Sequence, residues 1–505
     1  MFESIVAGFI NLASLDVLLA ISFGILLGLA VGAMPGLSAT MAIALLLPIT
    51  FTMDPAPGIS MLASLYIGAL YGGSIPAILL KTPGTPSAAA TILDGFPMAV
   101  AGNPGKALGI SLASSVTGGI IGAIFLITAA PVLARFAIRF GPPENFALAI
   151  FGLSLMASLA KGSTIKGLLS GFVGLFIAMV GMELTTGYPR FTFGIIQLYD
   201  GVPYVAALIG LFSISQALVM AETKSRYKNL ENISITDRML PTFKEYKKIF
   251  KTIFKSGIIG TIIGMIPGTG GDIATWVSYN EARRTSKEPE KFGEGHPEGI
   301  ASSEAANNAV GGGALIPVLA LGIPGSAATA MLMGGLLVHG FMPGPRLMTQ
   351  HAEMSYTLLA AVFLAQFVLF GIGLMFTKAA LYITKVSNAV VAPLIVVLSV
   401  VGAFAVSSQM FDAYLMFGFG IMGYFMTKIK IPLAPMVLGI ILGPIADTAL
   451  AQTLRISTIG WWIFFTRPIS LIMLALALLS IIGSMTTFKL SSIFTKIKKM
   501  ESGSE

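Results

Sequence analysis

The chain has 505 residues, of which 55% are hydrophobic and 11% are charged, and its formal net charge at pH 7 is +8. Because water-soluble domains carry roughly 25% charged residues, this composition excludes a soluble globular protein. Cysteine is absent, so disulfides, thiolate nucleophiles and cysteine metal sites are also excluded. The composition therefore predicts a polytopic integral membrane protein.

Long stretches without Asp, Glu, Lys or Arg recur along the chain. They are 17–53, 55–80, 107–134, 201–221, 305–345, 354–377, 386–411 and 468–488. Since a spanning helix needs about 20 apolar residues, we expect an all-α fold with about 10 to 14 membrane passes or half-passes. The first residues hold Glu3 and no basic group, which argues against a cleaved signal peptide.

The first charge-free run is interrupted in its middle by the sequence GAMPG, which contains Pro35 and Gly36. Proline lacks an N–H donor and glycine frees the backbone dihedrals, so we expect the helix to unwind there. Ser38 and Thr40 follow as capping hydroxyls ahead of a new apolar run. The pattern indicates two half-helices that meet inside the bilayer, with an ordinary kinked helix as the alternative.

A second interrupted segment spans 72–91 and reads GGSIPAILLKTPGTPSAAAT. Its break is predicted at Pro83 and Gly84, and the hydroxyls of Thr85 and Ser87 follow directly. Lys81 lies just before the break, where its ammonium group could pair with a carboxylate substrate or could extend to the membrane surface.

The second half of the chain repeats both patterns in the same order and at nearly the same separation. The sequence GMIPG contains Pro267 and Gly268, and GGGALIPVLALGIPGSAAT contains Pro324 and Gly325. A third match follows in the same order, between LSLMASLA at 153–160 and LSVVGAFA at 398–405, and the three together indicate an internal duplication. The predicted division is a first membrane repeat at 1–221, a basic linker at 222–255, a second membrane repeat at 256–488 and a basic tail at 489–505.

Charged residues in the connections indicate the topology. The linker 222–255 holds nine Lys or Arg against four acids, so the positive-inside rule predicts a cytoplasmic linker, and a cytoplasmic tail likewise. The connection after the first GxxPG segment has no basic residue, whereas its counterpart at 283–291 has four. This asymmetry favours an inverted orientation of the second repeat.

Four interrupted helices arranged as two pairs predict a transport site, because half-helix N-termini suit anions and freed carbonyls suit hard cations. The alternative is that Pro and Gly only allow close helix packing. The predicted substrate-binding residues are Ser38, Thr40, Lys81, Thr85, Ser87, Thr269, Gly270, Ser326 and Thr329. The predicted cation-binding residues are Asp272, Asn307 and Asn308. Glu304 is a further carboxylate that could lie in the membrane or at its interface.

Several long motifs carry a family resemblance. They include GAMPGLSATMAIALLLPITF, GGSIPAILLKTPGTPSAAATILDGFPM, GMIPGTGGDIATWVSYNEARRTSK and ASSEAANNAVGGGALIPVLALGIPGSAATAMLMGGLLVHGFMPGP. Over most of its length the chain resembles the large membrane subunit of the tripartite tricarboxylate transporters.

The resemblance implies a multi-pass protein of the bacterial cytoplasmic membrane. Such a subunit works with a small four-helix membrane subunit and an extracytoplasmic solute-binding protein that delivers a citrate-like organic di- or tricarboxylate. A sodium or proton gradient would drive import by an elevator-type motion of inverted repeats, without a cofactor, and no nucleic-acid partner is expected. The oligomeric state stays open, with a homodimer as one arrangement.

The residues contain no Ser-His-Asp set or phosphate loop, so an enzyme is the least supported class. A passive anion channel and a non-transporting scaffold subunit remain alternatives to a transporter. No metal ion other than sodium is expected.

Overall fold

The computed structural model describes residues 2–34, 37–154, 164–183, 187–222, 235, 237–267, 270–383 and 388–482. These residues are almost entirely helical. The strands found among them are β1 (Gly181–Met182) and β2 (Pro189–Arg190), which pair antiparallel. The predicted all-α polytopic fold is therefore confirmed.

The helices of the first half are α1 (Phe2–Leu12), α2 (Leu15–Gly32), α3 (Ala39–Thr50), α4 (Pro55–Gly72), α5 (Ser74–Leu80), α6 (Ile92–Val100), α7 (Pro104–Ala137), α8 (Pro142–Ser154), α9 (Thr164–Ala178), α10 (Tyr204–Ile209) and α11 (Ser215–Glu222). A 3₁₀ turn at Pro86–Ala89 precedes α6, and a π-helical segment at Gly210–Ile214 joins α10 to α11.

The helices of the second half are α12 (Phe243–Met265), α13 (Gly270–Thr285), α14 (Pro297–Leu321), α15 (Ala327–Val338), α16 (Pro345–Gln350), α17 (Ala352–Ile383), α18 (Asn388–Ser407), α19 (Met410–Lys428), α20 (Leu433–Ile456), α21 (Ile463–Thr466) and α22 (Pro468–Ile482). The last thirteen residues of the predicted linker thus begin α12. Residues 223–234 and 236 of the linker and the predicted tail 489–505 lie outside the described residues.

Six of the described helical segments are long and apolar enough to cross a membrane. They are Leu15–Gly32, Pro55–Leu80, Pro104–Ala137, Tyr204–Glu222, Ala352–Phe376 and Leu433–Ile456. A bent pair, Gly460–Thr466 with Pro468–Ile482, would make a seventh span, and four apolar helices are shorter. Two of the short ones, α3 and α15, have 12 residues each, which at 1.5 Å per residue is about 18 Å and less than a ~30 Å bilayer core.

The helices follow one another in the same order in both halves. The segment from α2 through α7 corresponds to the segment from α12 through α17, and a proline opens both α7 and α16 (Pro104 and Pro345). Close backbone contact joins the first and third members of each series. A Cβ on Gly28 of α2 would lie 2.3 Å from the Leu65 carbonyl oxygen of α4, and one on Gly260 of α12 would lie 2.4 Å from the Ala306 oxygen of α14. Only glycine allows such approach, which membrane helices use to pack tightly.

The chain forms two compact units, Met1–Ile138 with Phe212–Met416, and Arg139–Leu211 with Phe417–Glu505. Each unit draws on both sequence halves. In the second unit, Arg190 of β2 reaches Asp447 of α20 with a 2.5 Å distance from Nη2 to Oδ2. All the predicted site residues belong to the first unit.

Candidate functional site

The two helix breaks that the structure describes have the same backbone geometry. Helix α5 ends at Lys81, whose φ of 54° is left-handed, and the Thr82 N–H donates to the Pro76 carbonyl at 3.3 Å. Helix α14 ends at Gly322, with φ of 72°, and the Ile323 N–H donates to the Pro317 carbonyl at 3.2 Å. In both cases a left-handed residue ends the helix, and the N–H of the next residue bonds the carbonyl six positions earlier. Both predicted breaks, at 83–84 and 324–325, therefore follow equivalent helix ends.

After the first break the chain passes very close to other backbone. The Gly84 N–H donates to the Gly73 carbonyl at 3.0 Å, and a Cβ on Gly84 would lie 2.1 Å from the Gly32 carbonyl oxygen. The equivalent Gly325 lies against Ala314 with more space, since its Cβ would meet Ala314 atoms at 3.3 Å. The end of α2 and the first break are thus held together at Gly84.

The hydroxyls that follow the first break lie in the interior beside the second half of the chain. Thr85 and Ser87 are both buried, and their Oγ atoms lie 3.2 Å apart. A Cβ on Gly271, in the first turn of α13, would lie 3.0 Å from the Ser87 Cβ and 3.5 Å from Oδ1 of Asn307. The structure therefore brings Thr85 and Ser87 next to the predicted cation-binding residue Asn307.

The hydroxyls that follow the second break cap a helix and face the first half of the chain. Ser326 and Thr329 form a capping box at the start of α15, in which the Thr329 N–H donates to Ser326 Oγ at 3.2 Å. Tyr66 of α4 is buried and lies near the Ser326 hydroxyl and the Asp272 carboxylate. Tyr66 and Asn307 therefore each lie beside the broken loop of the other half.

Tyr66 was not among the predicted site residues, although a signal for it exists. It precedes Ile75-Pro76 by the same interval at which Asn307 precedes Ile316-Pro317. Tyr66 and Asn307 thus occupy equivalent positions of the repeat, and each lies beside the loop of the other half. Aligning the two halves beyond the Pro-Gly motifs would have identified it.

The predicted residues Asn307 and Asn308 lie in the interior of α14 with unsatisfied polar atoms. Both are 0% exposed. The Asn307 Nδ2 donates to the Leu70 carbonyl at 3.0 Å, but its Oδ1 has no partner among the described residues. Neither Oδ1 nor Nδ2 of Asn308 has one. Unpaired buried amides are costly, so these two side chains are placed for a bound polar species.

Glu304, one turn before Asn308, is also 0% exposed and therefore lies inside the protein. Thr91 Oγ1 donates to its Oε1, and Ser115 Oγ donates to its Oε2 at 3.0 Å. Ser303 adds a hydroxyl 3.0 Å from Thr91 Oγ1. The sequence pointed to Glu304 as a membrane carboxylate, but its hydroxyl partners come from distant positions.

Asp94 is a buried carboxylate that the sequence did not single out. Its Oδ1 accepts the backbone N–H groups of Gly293, Gly295 and His296 at 2.7 to 3.0 Å, and its Oδ2 accepts the Tyr279 hydroxyl at 2.8 Å. Asp94 thereby fixes the connection between α13 and α14 to α6. Four donors satisfy this carboxylate, so its role is to hold the connection in place.

Some predicted residues lie apart from the buried polar cluster, which comprises Tyr66, Thr85, Ser87, Glu304, Asn307, Asn308, Ser326 and Thr329. Lys81 is exposed, and its Nζ lies 5.4 Å from the centroid of the Phe96 ring. Ser38 caps α3 by accepting the Met41 N–H at 3.3 Å, and Thr40 is buried in the same helix. Gly270 opens α13 with φ of 62°. Pro35, Gly36, Gly268 and Thr269 lie outside the described residues.

A charged cavity of about 1120 Å³ lies apart from these residues. It is lined by the start of α12, by α13 and by the connection to α14, and no predicted site residue lines it. Three of its six lysines form ion pairs with three of its five glutamates, as in Lys106–Glu245 and Lys291–Glu288, each at 2.6 Å. We therefore assign the functional site to the buried polar cluster and not to this cavity.

Comparisons with known proteins give the family. The model of the tripartite tricarboxylate transporter TctA family matches residues 18–438. An uncharacterised 52.8 kDa protein of the TAR-I ttuC' 3' region of Agrobacterium vitis is 35% identical over 463 residues, which is 91% of each chain. An uncharacterised protein of the TAR-II ttuC' 3' region of the same organism is 30% identical over 223 residues, 44% of this chain and 92% of the relative. The chain therefore belongs to the tripartite tricarboxylate transporter TctA family.

Proposed function

We propose that the chain is the transporting subunit of a system that imports an organic di- or tricarboxylate against its gradient. Membership of the family makes it the large membrane subunit of a tripartite transporter, which implies a small membrane subunit and a solute-binding protein. The citrate-like substrate, its delivery from outside the cell and coupling to a sodium or proton gradient are the further parts of the proposal.

The observation that carries the proposal is that a side chain from each half lies beside the interrupted loop of the other half. Tyr66 reaches the loop at Ser326, and Asn307 lies beside the loop at Ser87. A site shared by two repeats is what alternating-access transporters place near the membrane midplane. Motion of these loops relative to their partners would change access to the site, in keeping with an inverted-repeat, elevator-type mechanism.

The substrate and the coupling ion are proposed to bind next to each other, between the two broken loops. Carboxylates suit the free N–H groups at the starts of α13 and α15, together with the hydroxyls of Thr85, Ser87, Ser326 and Thr329. Gly270, Thr269, Ser38 and Thr40 would extend the substrate site, and Lys81 would attract the anion at its edge. The amides of Asn307 and Asn308 and the Asp272 carboxylate would serve the cation.

Reconstitution tests the function directly. The chain is placed in proteoliposomes with its small subunit and loaded solute-binding protein, and uptake of di-, tri- and aromatic carboxylates is measured with and without a sodium or pH gradient. We expect accumulation of a di- or tricarboxylate only when a cation gradient is present. Equal flux without a gradient would indicate a passive channel, and uptake by the partners alone would indicate a scaffold.

The proposed orientation in the bacterial cytoplasmic membrane has its own test. The chain has no cysteine, so single cysteines report position without background. Lys228→Cys in the linker and Lys496→Cys in the tail should react with a membrane-impermeant maleimide only after the cytoplasmic side is opened. Labelling of intact cells at either position would contradict a cytoplasmic linker and tail.

A further inference from the structure

One face of α14 carries three polar side chains in the interior of the first unit. Glu304, Asn307 and Asn308 are spaced three and four residues apart, which places them on one side of the helix. The flanking faces are occupied, because a Cβ on Gly118 of α7 would lie 2.1 Å from the Ala305 oxygen, and Gly260 of α12 approaches Ala306. The polar face is therefore directed at the space between α4, α6 and α7.

The negative charge on this face has no compensating cation among the described residues. Glu304 is held by the hydroxyls of Thr91 and Ser115, and no described Lys, Arg or His forms an ion pair with it. The charged groups on the helices packed against α14 are Lys106 and Arg135 on α7, Asp94 on α6, Arg346 on α16, Lys244, Glu245, Lys247, Lys248, Lys251 and Lys255 on α12, and Asp272, Glu281, Arg283 and Arg284 on α13. Lys106 and Lys255 are paired with Glu245 and Glu281 instead. Burying an unpaired carboxylate costs free energy unless a cation binds next to it.

The oxygens of the neighbouring amide side chains also lack a partner, because no described group donates a hydrogen bond to them. Oδ1 of Asn307 and both polar atoms of Asn308 are buried and unpartnered in the described part of the chain. A proton on Glu304 would remove the charge but would leave these amide atoms unsatisfied. An alkali cation would serve the Glu304 carboxylate and the two amide oxygens together, because carboxylate, amide and hydroxyl oxygens are the ligands that hard cations prefer, whereas the Asn308 Nδ2 needs an acceptor of its own.

We propose that Glu304, Asn307 and Asn308 bind a sodium ion, with the Glu304 carboxylate as its counter-charge. This inference rests on the proposed function in one respect, because it names sodium as the coupling ion of the same site. Asn307 Oδ1 lies near Ser87 and Gly271, where the substrate carboxylate is proposed to bind. The bound cation would offset the charge of that carboxylate, so sodium and substrate would each strengthen binding of the other.

Thermal stability of the purified full chain tests sodium binding without any transport. A ligand that binds only the folded state raises Tm as its concentration rises. We expect NaCl, but not KCl or choline chloride at equal ionic strength, to raise the Tm of the wild type. Loss of a supporting partner weakens a metal site by about 10- to 100-fold, and Glu304→Gln and Asn308→Ala should weaken sodium affinity by at least as much. The exposed Glu294→Gln should respond like the wild type and serves as the matched control.

Baseline Tm values in choline chloride show whether each variant is folded, and Glu304→Asp, which keeps the charge, should retain part of the sodium response. No sodium-specific shift in the wild type, or an equal shift in Glu304→Gln, would overturn the proposal. Uptake driven by a pH gradient and indifferent to sodium would also overturn it while leaving the transport function standing. A sodium shift without carboxylate uptake would instead count against the transport function alone.

Discussion

The close backbone contact at Gly84 predicts that alanine is tolerated much less well at Gly84 than at the equivalent Gly325. Gly84→Ala would place a methyl group 2.1 Å from the Gly32 carbonyl oxygen and 2.8 Å from the Gly73 Cα, whereas Gly325→Ala would meet Ala314 atoms at 3.3 Å. Neither Gly84 nor Gly325 is among the glycines with positive φ, so alanine suits both backbones. The difference between the two variants is therefore purely steric.

The size of the effect follows from the distances. Carbon and oxygen normally approach no closer than about 3.3 Å, so Gly84→Ala must move backbone by about 1 Å. Overpacking of this kind costs about 3 kcal/mol at the upper end of its usual range, while Gly325→Ala should cost less than about 1 kcal/mol. At a fixed temperature, 3 kcal/mol corresponds to an unfolding half-life up to about 100-fold shorter.

The assay compares both variants with the wild type by thermal inactivation in detergent and by carboxylate uptake in proteoliposomes. Gly84→Ala should inactivate sooner and transport poorly, because it displaces the loop that carries Thr85 and Ser87. Gly325→Ala should behave close to the wild type. Equal stability and uptake of the two variants would refute the argument that the first break is held by contact at Gly84.

Three further predictions concern other parts of the first unit. Asp94→Asn should destabilise the protein by about 1.5 to 3 kcal/mol, since the three backbone N–H donors would lose their charged acceptor and the Tyr279 hydroxyl would face an NH2 group. Tyr279→Phe should cost about 1 to 2 kcal/mol, and thermal inactivation and protease cleavage of the α13–α14 connection measure both. The hydrogen bond from Lys106, and after it the one from the Thr242 backbone, lowers the pKa of Glu245 to about 2. The ionised Glu245 therefore contributes stability that is present above pH ~4.5 and is lost as the pH falls towards 2. Glu245→Gln should flatten this part of a Tm-against-pH profile, and an unchanged profile would contradict the ion pair. Tyr66→Phe should reduce uptake about tenfold or more while leaving Tm nearly unchanged, and full uptake would remove Tyr66 from the site.

The sequence was most informative where backbone chemistry decides the structure. Proline, glycine and capping hydroxyls can be recognised without knowledge of the fold, so the breaks near Pro83 and Pro324 and the capping role of Ser38 were predictable. The repeat could be recognised because two stretches of the same chain can be compared. Contacts between side chains across the interior could not be predicted, because Thr91 and Ser115, which donate to Glu304, lie far from it in the sequence.

Burial was also hard to predict from local composition. Glu304 follows a polar stretch and reads equally well as an interfacial residue, yet it is fully buried. Lys81 stands inside an apolar motif, where the sequence left open whether its ammonium group pairs with a substrate or extends to the membrane surface, and the structure shows it exposed. Short-range hydropathy averages over a window, whereas exposure of one side chain depends on which helix packs against it.

The division into two compact units has a consequence for how the protein is made. Residues 139–211 leave the ribosome long before 417–482, with which they share a unit, and the first unit likewise waits for residues up to 416. Contacts between such distant segments form late during synthesis. Nascent helices of the first half must therefore persist in the membrane without their partners, and a chain halted midway would leave neither unit complete.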